Sequence, residues 1–528
     1  MHESRQSLYL YNANIITMDP LIPRASWLSI DRQFISKIGT GTPPFDTLPH
    51  ESRYIDCLGR TVLPGFNDSH THILSSLAHE TAVDCGPTSV NSIEDIKTRL
   101  TEFSKHLPKG NWIRAAGYDE FHLEDSRHPT RWDLDEATPD YPVKLIHRSG
   151  HAMVLNSLAM NIAGITDITV DPEGSVIDRQ HLTGIPTGLL FDMNDYINKV
   201  TPGLSQEDIS IGLGRYNELC LSYGLTSLHD ASINNDLMKM DLLKRFKKSG
   251  TLSPSINFMV GIDHLEDFLK KGIKFGDGSD SFRIGSAKIV LGLTTGVLHP
   301  DKQELRSLIR YANSNGFQVA IHAVENTSIM EAIDALEHSG SNEPVNRFRN
   351  RIEHCSECTP DLIDRIIKNK VAVSTQPGFL YYNGQRYLAE VDERYKDFLY
   401  PIGSLVKSGV TLAYGSDSPV IPMNPMVGIS AAVNRFAKSG DVLQPRERVS
   451  VLDAIKSYTV DSAYLSWQEK VRGSISEGKI ADIILVDSNP LEIQPEEIID
   501  VKVLMTVVAG TVAWVDGKRF NVGYVRGR

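Results

Sequence analysis

The sequence predicts a distorted (β/α)8 barrel that carries a small β-sandwich built from both chain ends and a lid-like insertion. Three observations predict it. Apolar runs that each end in a polar residue recur from residue 225 onward, closing on His229-Asp230, Lys288, His322, His354, Gln376 and Asp417. Helix-like stretches, such as residues 301–313 and 360–368, lie between those runs, which is the alternation of a βα-repeating fold. Short strand-like runs occur at both ends of the chain, and each set is too small to be a stable sandwich alone.

At the N-terminus the strand-like runs are residues 8–11, 14–18, 27–30 and 34–38; residues 480–487, 503–508 and 511–515 supply matching material at the far end. Residues 1–60 and 466–528 are therefore expected to form the sandwich, and residues 61–465 the barrel. The barrel opens on Val62-Leu63-Pro64-Gly65-Phe66-Asn67-Asp68-Ser69-His70-Thr71-His72. On a strand, residues i and i+2 share a face, so His70 and His72 present two imidazoles to one point. Far more chain than two repeats need separates His72 from residue 225, so an insertion is expected at about residues 78–205. It contains Trp112 and Tyr118, read as its core, together with Arg148, His151, Asn156 and loop-rich stretches such as Asp171-Pro172-Glu173-Gly174. An insertion after the first strand overhangs the barrel mouth and reads as a substrate-covering lid. With His70 and His72 ending strand 1 and Asp417 ending strand 8, Lys288, His322 and His354 fall on strands 4, 5 and 6, and Gln376 on strand 7. All then converge on one mouth.

Lys plus Arg total 54 against 66 Asp plus Glu, a net charge of −12. That balance argues against a general nucleic-acid or anionic-membrane binder and leaves a small molecule as the expected partner. Five cysteines, an odd number, do not make a disulfide framework. The pair Cys355 and Cys358 has zinc-like spacing but lacks the second pair of a zinc site. Residues 1–7 contain no apolar signal region, and no apolar run is long enough to span a bilayer, so the cytoplasm is the expected compartment. Oligomers of identical chains are common among such barrels, by analogy alone.

The run LPGFNDSHTH, the GSDSPV around Asp417 and the closing GSISEGKIADIILVD together resemble the amidohydrolase superfamily. Within it the chain is most similar to the YtcJ-like branch (amidohydrolase family 3), which includes N-substituted formamide deformylase. HPTRWDLDEATPDYPVKLIHRSGHAMVLNSLAM, IEHC, STQPGF and the segment from Pro445 to Tyr464 extend the resemblance over nearly the whole chain. The resemblance implies that His70 and His72 bind one metal, and that Lys288, carboxylated on its amine, bridges two. It implies that His322 and His354 bind the second metal, and that Asp417 binds the first while handling protons. Two segments depart from the branch pattern. Ile289-Val290-Leu291-Gly292-Leu293-Thr294-Thr295-Gly296 replaces a Gly-Ser-rich stretch introduced by Asp-Gly, and Ala323-Val324-Glu325-Asn326 replaces an Ile-Gly-Asp-type continuation. Glu325 either orients a ligand from behind or is solvated; His229 is assigned no ligand role.

The implied activity is metal-dependent hydrolysis of a non-peptide carbon–nitrogen bond, foremost an N-substituted amide, through attack of metal-held hydroxide. The implied cofactor is one or two divalent cations per chain, zinc the expected one. Arg148, His151, Asn156 and Gln376 are the candidate substrate contacts. A mononuclear deaminase or cyclic-amidine hydrolase, an esterase or lactonase, and a non-catalytic scaffold are the alternatives.

Overall fold

The computed structural model describes residues 7–43, 52–293, 295–339, 345–520 and 525–526. Its centre is an eight-stranded parallel sheet in sequential order: β1 (Phe66–Thr71), β2 (Leu225–Asp230), β3 (Ser255–Gly261), β4 (Phe282–Val290), β5 (Val319–Ala323), β6 (Arg351–His354), β7 (Ala372–Thr375) and β8 (Leu412–Tyr414). The strands are buried on both faces, as covered parallel strands must be, which is why they read as near-continuous apolar runs. Register aligns their C-terminal ends: Val290 of β4 lies beside His322 of β5, and Ala323 of β5 beside His354 of β6. The segment after β8 closes the seam onto β1, with Asp417 N–H donating to the His70 carbonyl at 2.7 Å and His72 N–H to that of Ser418 at 2.9 Å.

The two helices expected from sequence are present. Asp301 caps Lys302–Ser314 by accepting from the Gln303 and Glu304 N–H groups, and that helix buries Leu305, Ile309 and Ala312 along one stripe. Pro360–Asn369 starts on proline, whose missing N–H costs nothing there, and buries Leu362, Ile363 and Ile366.

Strands from the two chain ends pair directly. Ile483–Val486 runs antiparallel to Thr61–Pro64, which in turn pairs parallel with Asn14–Ile16. Thr61–Pro64, expected to open the barrel, is therefore a sandwich strand, and the barrel proper begins at Phe66. Proline is tolerated at that point because it ends the strand.

The insertion is more ordered than its loop-like composition suggests. It carries a six-stranded mixed sheet running from Val83–Asp84 to Pro186–Phe191, with its own cores around Ile96, Tyr118 and Leu145 and around Met153, Met160 and Leu190. Tyr118 is core, as read from the sequence, and Trp112 packs against the second cluster. No helix among the described residues is long and apolar enough to cross a membrane.

Candidate active site

The barrel mouth gathers histidines that lie far apart in the chain, from His70 to His354. The His70 and His354 ring centroids lie 4.8 Å apart, His354 and His322 4.3 Å, and His70 and His72 5.4 Å. Asp417 Oδ1 sits between two imidazoles, 2.9 Å from His72 Nε2 and 3.4 Å from His70 Nε2. Donor atoms of His70, His354 and Asp417 all lie within 4.8 Å of one another.

Backbone conformation aims two of these side chains. In a regular strand Glu353 and His354 face opposite sides of the sheet. His354 instead takes φ +69°, and Asp417 takes φ +59°, both in the left-handed region. For residues with a Cβ that costs on the order of 1 kcal/mol each, and such strain persists where surrounding structure enforces it.

Three of these rings, His70, His72 and His354, are also held from behind. His70 Nδ1 lies 2.5 Å from Glu353 Oε2, and His354 Nδ1 lies 2.8 Å from Gln376 Oε1. His72 Nδ1 lies 3.1 Å from Ser232 Oγ, whose hydroxyl donates to Asp230 Oδ1 at 2.7 Å. Fixing Nδ1 in this way leaves Nε2 of each ring directed at the mouth. Glu353 is itself gripped by Arg351, whose Nη2 donates to Glu353 Oε2 at 2.9 Å and to the Ser69 carbonyl at 2.7 Å. Arg351 Nη1 lies 3.3 Å from His229 Nδ1, so His229 is a buried neighbour of this network. Asp68 braces the seam, accepting from Ser416 N–H at 2.9 Å, Ser416 Oγ at 2.6 Å and His70 N–H at 3.1 Å.

Electrostatics follow from burial. Desolvation pushes the His70 imidazole down to about 3, and holds those of His322 and His354 below their usual range, so all three are neutral donors. Burial raises the Asp417 carboxyl, but its hydrogen bond with His72 and the surrounding imidazoles outweigh that and hold it below its ordinary value. Lys288, at 1% exposure, has its amine pushed down to about 8 by burial, and its Nζ has no hydrogen-bond partner among the described residues. His354 Nε2 is likewise buried without a partner. His70, His354 and Asp417 therefore converge as two neutral imidazoles and a carboxylate able to hold a divalent cation, with the His322 ring beside that of His354.

A cavity of about 660 Å³ opens above this cluster, lined by His322, His354 and Asp417 from the barrel and by Arg148 and His151 from the insertion. Arg148 Nε is 2.6 Å from Asp119 Oδ2; His151 Nδ1 is 2.7 Å from Asp192 Oδ1, and its ring centroid lies 6.1 Å from that of His322. The other two candidate substrate contacts sit elsewhere. Asn156 is fully buried: its Oδ1 accepts from Val143 and Ala159 N–H, and its Nδ2 donates to the Tyr141 carbonyl, so it caps a helix. Gln376 is also fully buried and turns its Oε1 to His354. Glu325 lines the cavity and accepts from Ser328 Oγ at 2.7 Å.

Sequence reasoning gave no role to Glu353, Arg351 and Asp68, and placed Asp230 at the mouth without a ligand role. A signal existed for the first two: opposite charges at i and i+2 share one face of β6, a strand buried on both sides, and a buried charge must be paired.

A parallel barrel with a histidine-rich mouth and one carboxylate past its last strand can hold a metal centre, and the chain's relatives give the class as metal-dependent hydrolase. Residues 53–513 match the amidohydrolase family, and the chain belongs to it. It is 30% identical over 486 residues to YtcJ of Bacillus subtilis (strain 168), named as an amidohydrolase, with 88% of this chain and 91% of that one covered. It is 27% identical over 553 residues to the N-substituted formamide deformylase of Arthrobacter pascens, covering 96% of this chain and 98% of that one. An uncharacterized metal-dependent hydrolase from Pyrococcus horikoshii OT3 superposes with a TM-score of 0.74 at 25% identity, over 93% of this chain and 99% of that one.

Proposed function

We propose that this chain is a metal-dependent hydrolase of non-peptide carbon–nitrogen bonds whose substrate is an N-substituted amide. His70, His72, Lys288, His322, His354 and Asp417 would hold one or two divalent cations, with zinc suited to so imidazole-rich a set. The observation that carries the reading is the pair of orphaned buried donors, Lys288 Nζ and His354 Nε2, beside the His70–Asp417 contact. An uncharged lysine amine is the form that takes up carbon dioxide, so burial of Lys288 favours its carboxylation. The deformylase relative, named for an N-substituted formamide, supports an amide over an ester or amidine.

A bound divalent cation supplies Lewis acidity, making water a strong nucleophile and polarising the carbonyl. The chain's own residues do the rest. Glu353, Gln376 and Ser232 fix the ring orientations. Asp417, ionised and within reach of His70 on β1 and of His72 just past it, accepts the proton of the attacking water on its carboxylate and returns it to the departing nitrogen. The insertion covers the mouth and limits bulk water.

Asp417→Asn tests this. Metal content measured by elemental analysis should stay largely intact, while turnover falls by roughly 10²–10⁴. Near-full activity would remove Asp417 from its role.

A further inference from the structure

Resting on the hydrolytic reading above, we infer that the cavity selects amides whose end remote from the scissile bond carries a positive charge. The cavity is marked as a ligand site by the buried, unpartnered His354 Nε2 on its wall. Its inner wall is apolar, with Ile289, Leu291, Leu308 and Phe379, so it accepts a hydrocarbon body. Its outer wall is acidic. Glu173 and Asp195 reach it from the insertion, Asp263 from the helical turn after β3 and Glu304 from the first turn of the helix Lys302–Ser314, and all four are exposed. Among the described residues none of the four has a Lys, Arg or His within ion-pair distance.

Carboxylates deeper in the cavity are already occupied, Asp192 by His151 and Glu325 by Ser328. Arg148 is the one guanidinium on the described wall, no lysine lines it, and Arg148 is held at 2.6 Å by Asp119, a carboxylate it shares with Arg386. A substrate carboxylate needs a free guanidinium or ammonium to receive it. Here it would meet four like charges, on a chain whose net charge of −12 has the same sign. A cationic end meets the opposite: low-dielectric walls focus the field of the rim and raise the local concentration of positive ligands.

Three matched amides test this on the full-length protein: N-acetyl-4-methylbenzylamine, and the same molecule with its ring methyl replaced by aminomethyl or by carboxymethyl. Binding is measured by calorimetry and hydrolysis by released amine. At an ionic strength near 0.01 M, where screening is weak, the ammonium compound should bind at least about tenfold more tightly than the carboxylate, with the neutral compound between. The ratio should shrink severalfold near 0.5 M salt, and also in an Asp195→Asn, Glu304→Gln double variant. Equal or tighter binding of the carboxylate, no binding of the ammonium compound, or a ratio indifferent to the double variant would overturn the inference. Charge-ordered binding with no product from any amide, in protein with its metal content verified, would instead count against the hydrolytic reading, so the two fail separately.

Discussion

Glu353→Gln is the sharpest probe of how the site is built. Glu353 and Arg351 are 0% and 1% exposed, and the carboxylate contacts both the guanidinium and His70 Nδ1. Glutamine keeps the shape and removes the charge, leaving Arg351 as a buried cation without a counter-ion. Breaking a buried pair from one side costs about 3–5 kcal/mol. At roughly 2 °C per kcal/mol for a large domain, that is a drop in melting temperature of roughly 6–10 °C. Metal-free protein in a calorimeter isolates this effect from any loss of cation. Metal affinity supplies a second readout: an uncharged amide holds His70 less firmly, and losing such an orienting partner typically weakens binding about 10–100-fold. Replacing both residues, Arg351→Met with Glu353→Gln, should recover part of the stability because no unpaired charge remains. A single variant as stable as the parent, or a double variant far worse than the single, would refute the argument that charge pairing organises this part of the mouth.

Three further outcomes follow from the same contacts. Lys288→Met places an apolar chain of similar length where an unpartnered amine was buried; thermal stability of metal-free protein should hold or rise while bound metal falls, and unchanged metal content would exclude Lys288 as a ligand. Arg386, on the helix Gly378–Glu390 after β7, pairs with Asp119 at 2.6 Å and Glu120 at 2.7 Å in the insertion. Arg386→Ala should loosen the insertion and speed its limited proteolysis severalfold; an unchanged digestion pattern would show that the apolar contacts alone hold it. Asn156→Ala removes a helix cap and two further backbone contacts, so about 1–3 kcal/mol of stability should be lost with KM for an amide substrate unchanged. A raised KM with unchanged stability would restore a substrate role.

Where the period of a strand and the spacing of βα units suffice, the site was legible in the sequence. His322 and His354 sit at or one residue from strand ends because an apolar run ends there, and parallel strands in register bring such ends together; Lys288 lies two residues inside the end of β4, level with Ala320 of β5. Hydrogen bonds across the seam were not legible. Nothing local to Asp68 says that it holds Ser416, 348 residues away, nor that Gln376 turns its Oε1 toward His354. The insertion misled for a related reason: its strands are short, and the sheet depends on pairings such as Ala152 with Phe191 that no local pattern announces.

Taken alone, the sequence determined which residue types reach the mouth, since side-chain alternation and repeat length are local properties of the backbone. Tertiary structure decided which of them act and which brace. That depends on who lies opposite whom across the barrel: Glu353 against His70, Ser232 against His72, Asp417 between two imidazoles. Burial, itself a product of the whole fold, then set the protonation that such contacts require.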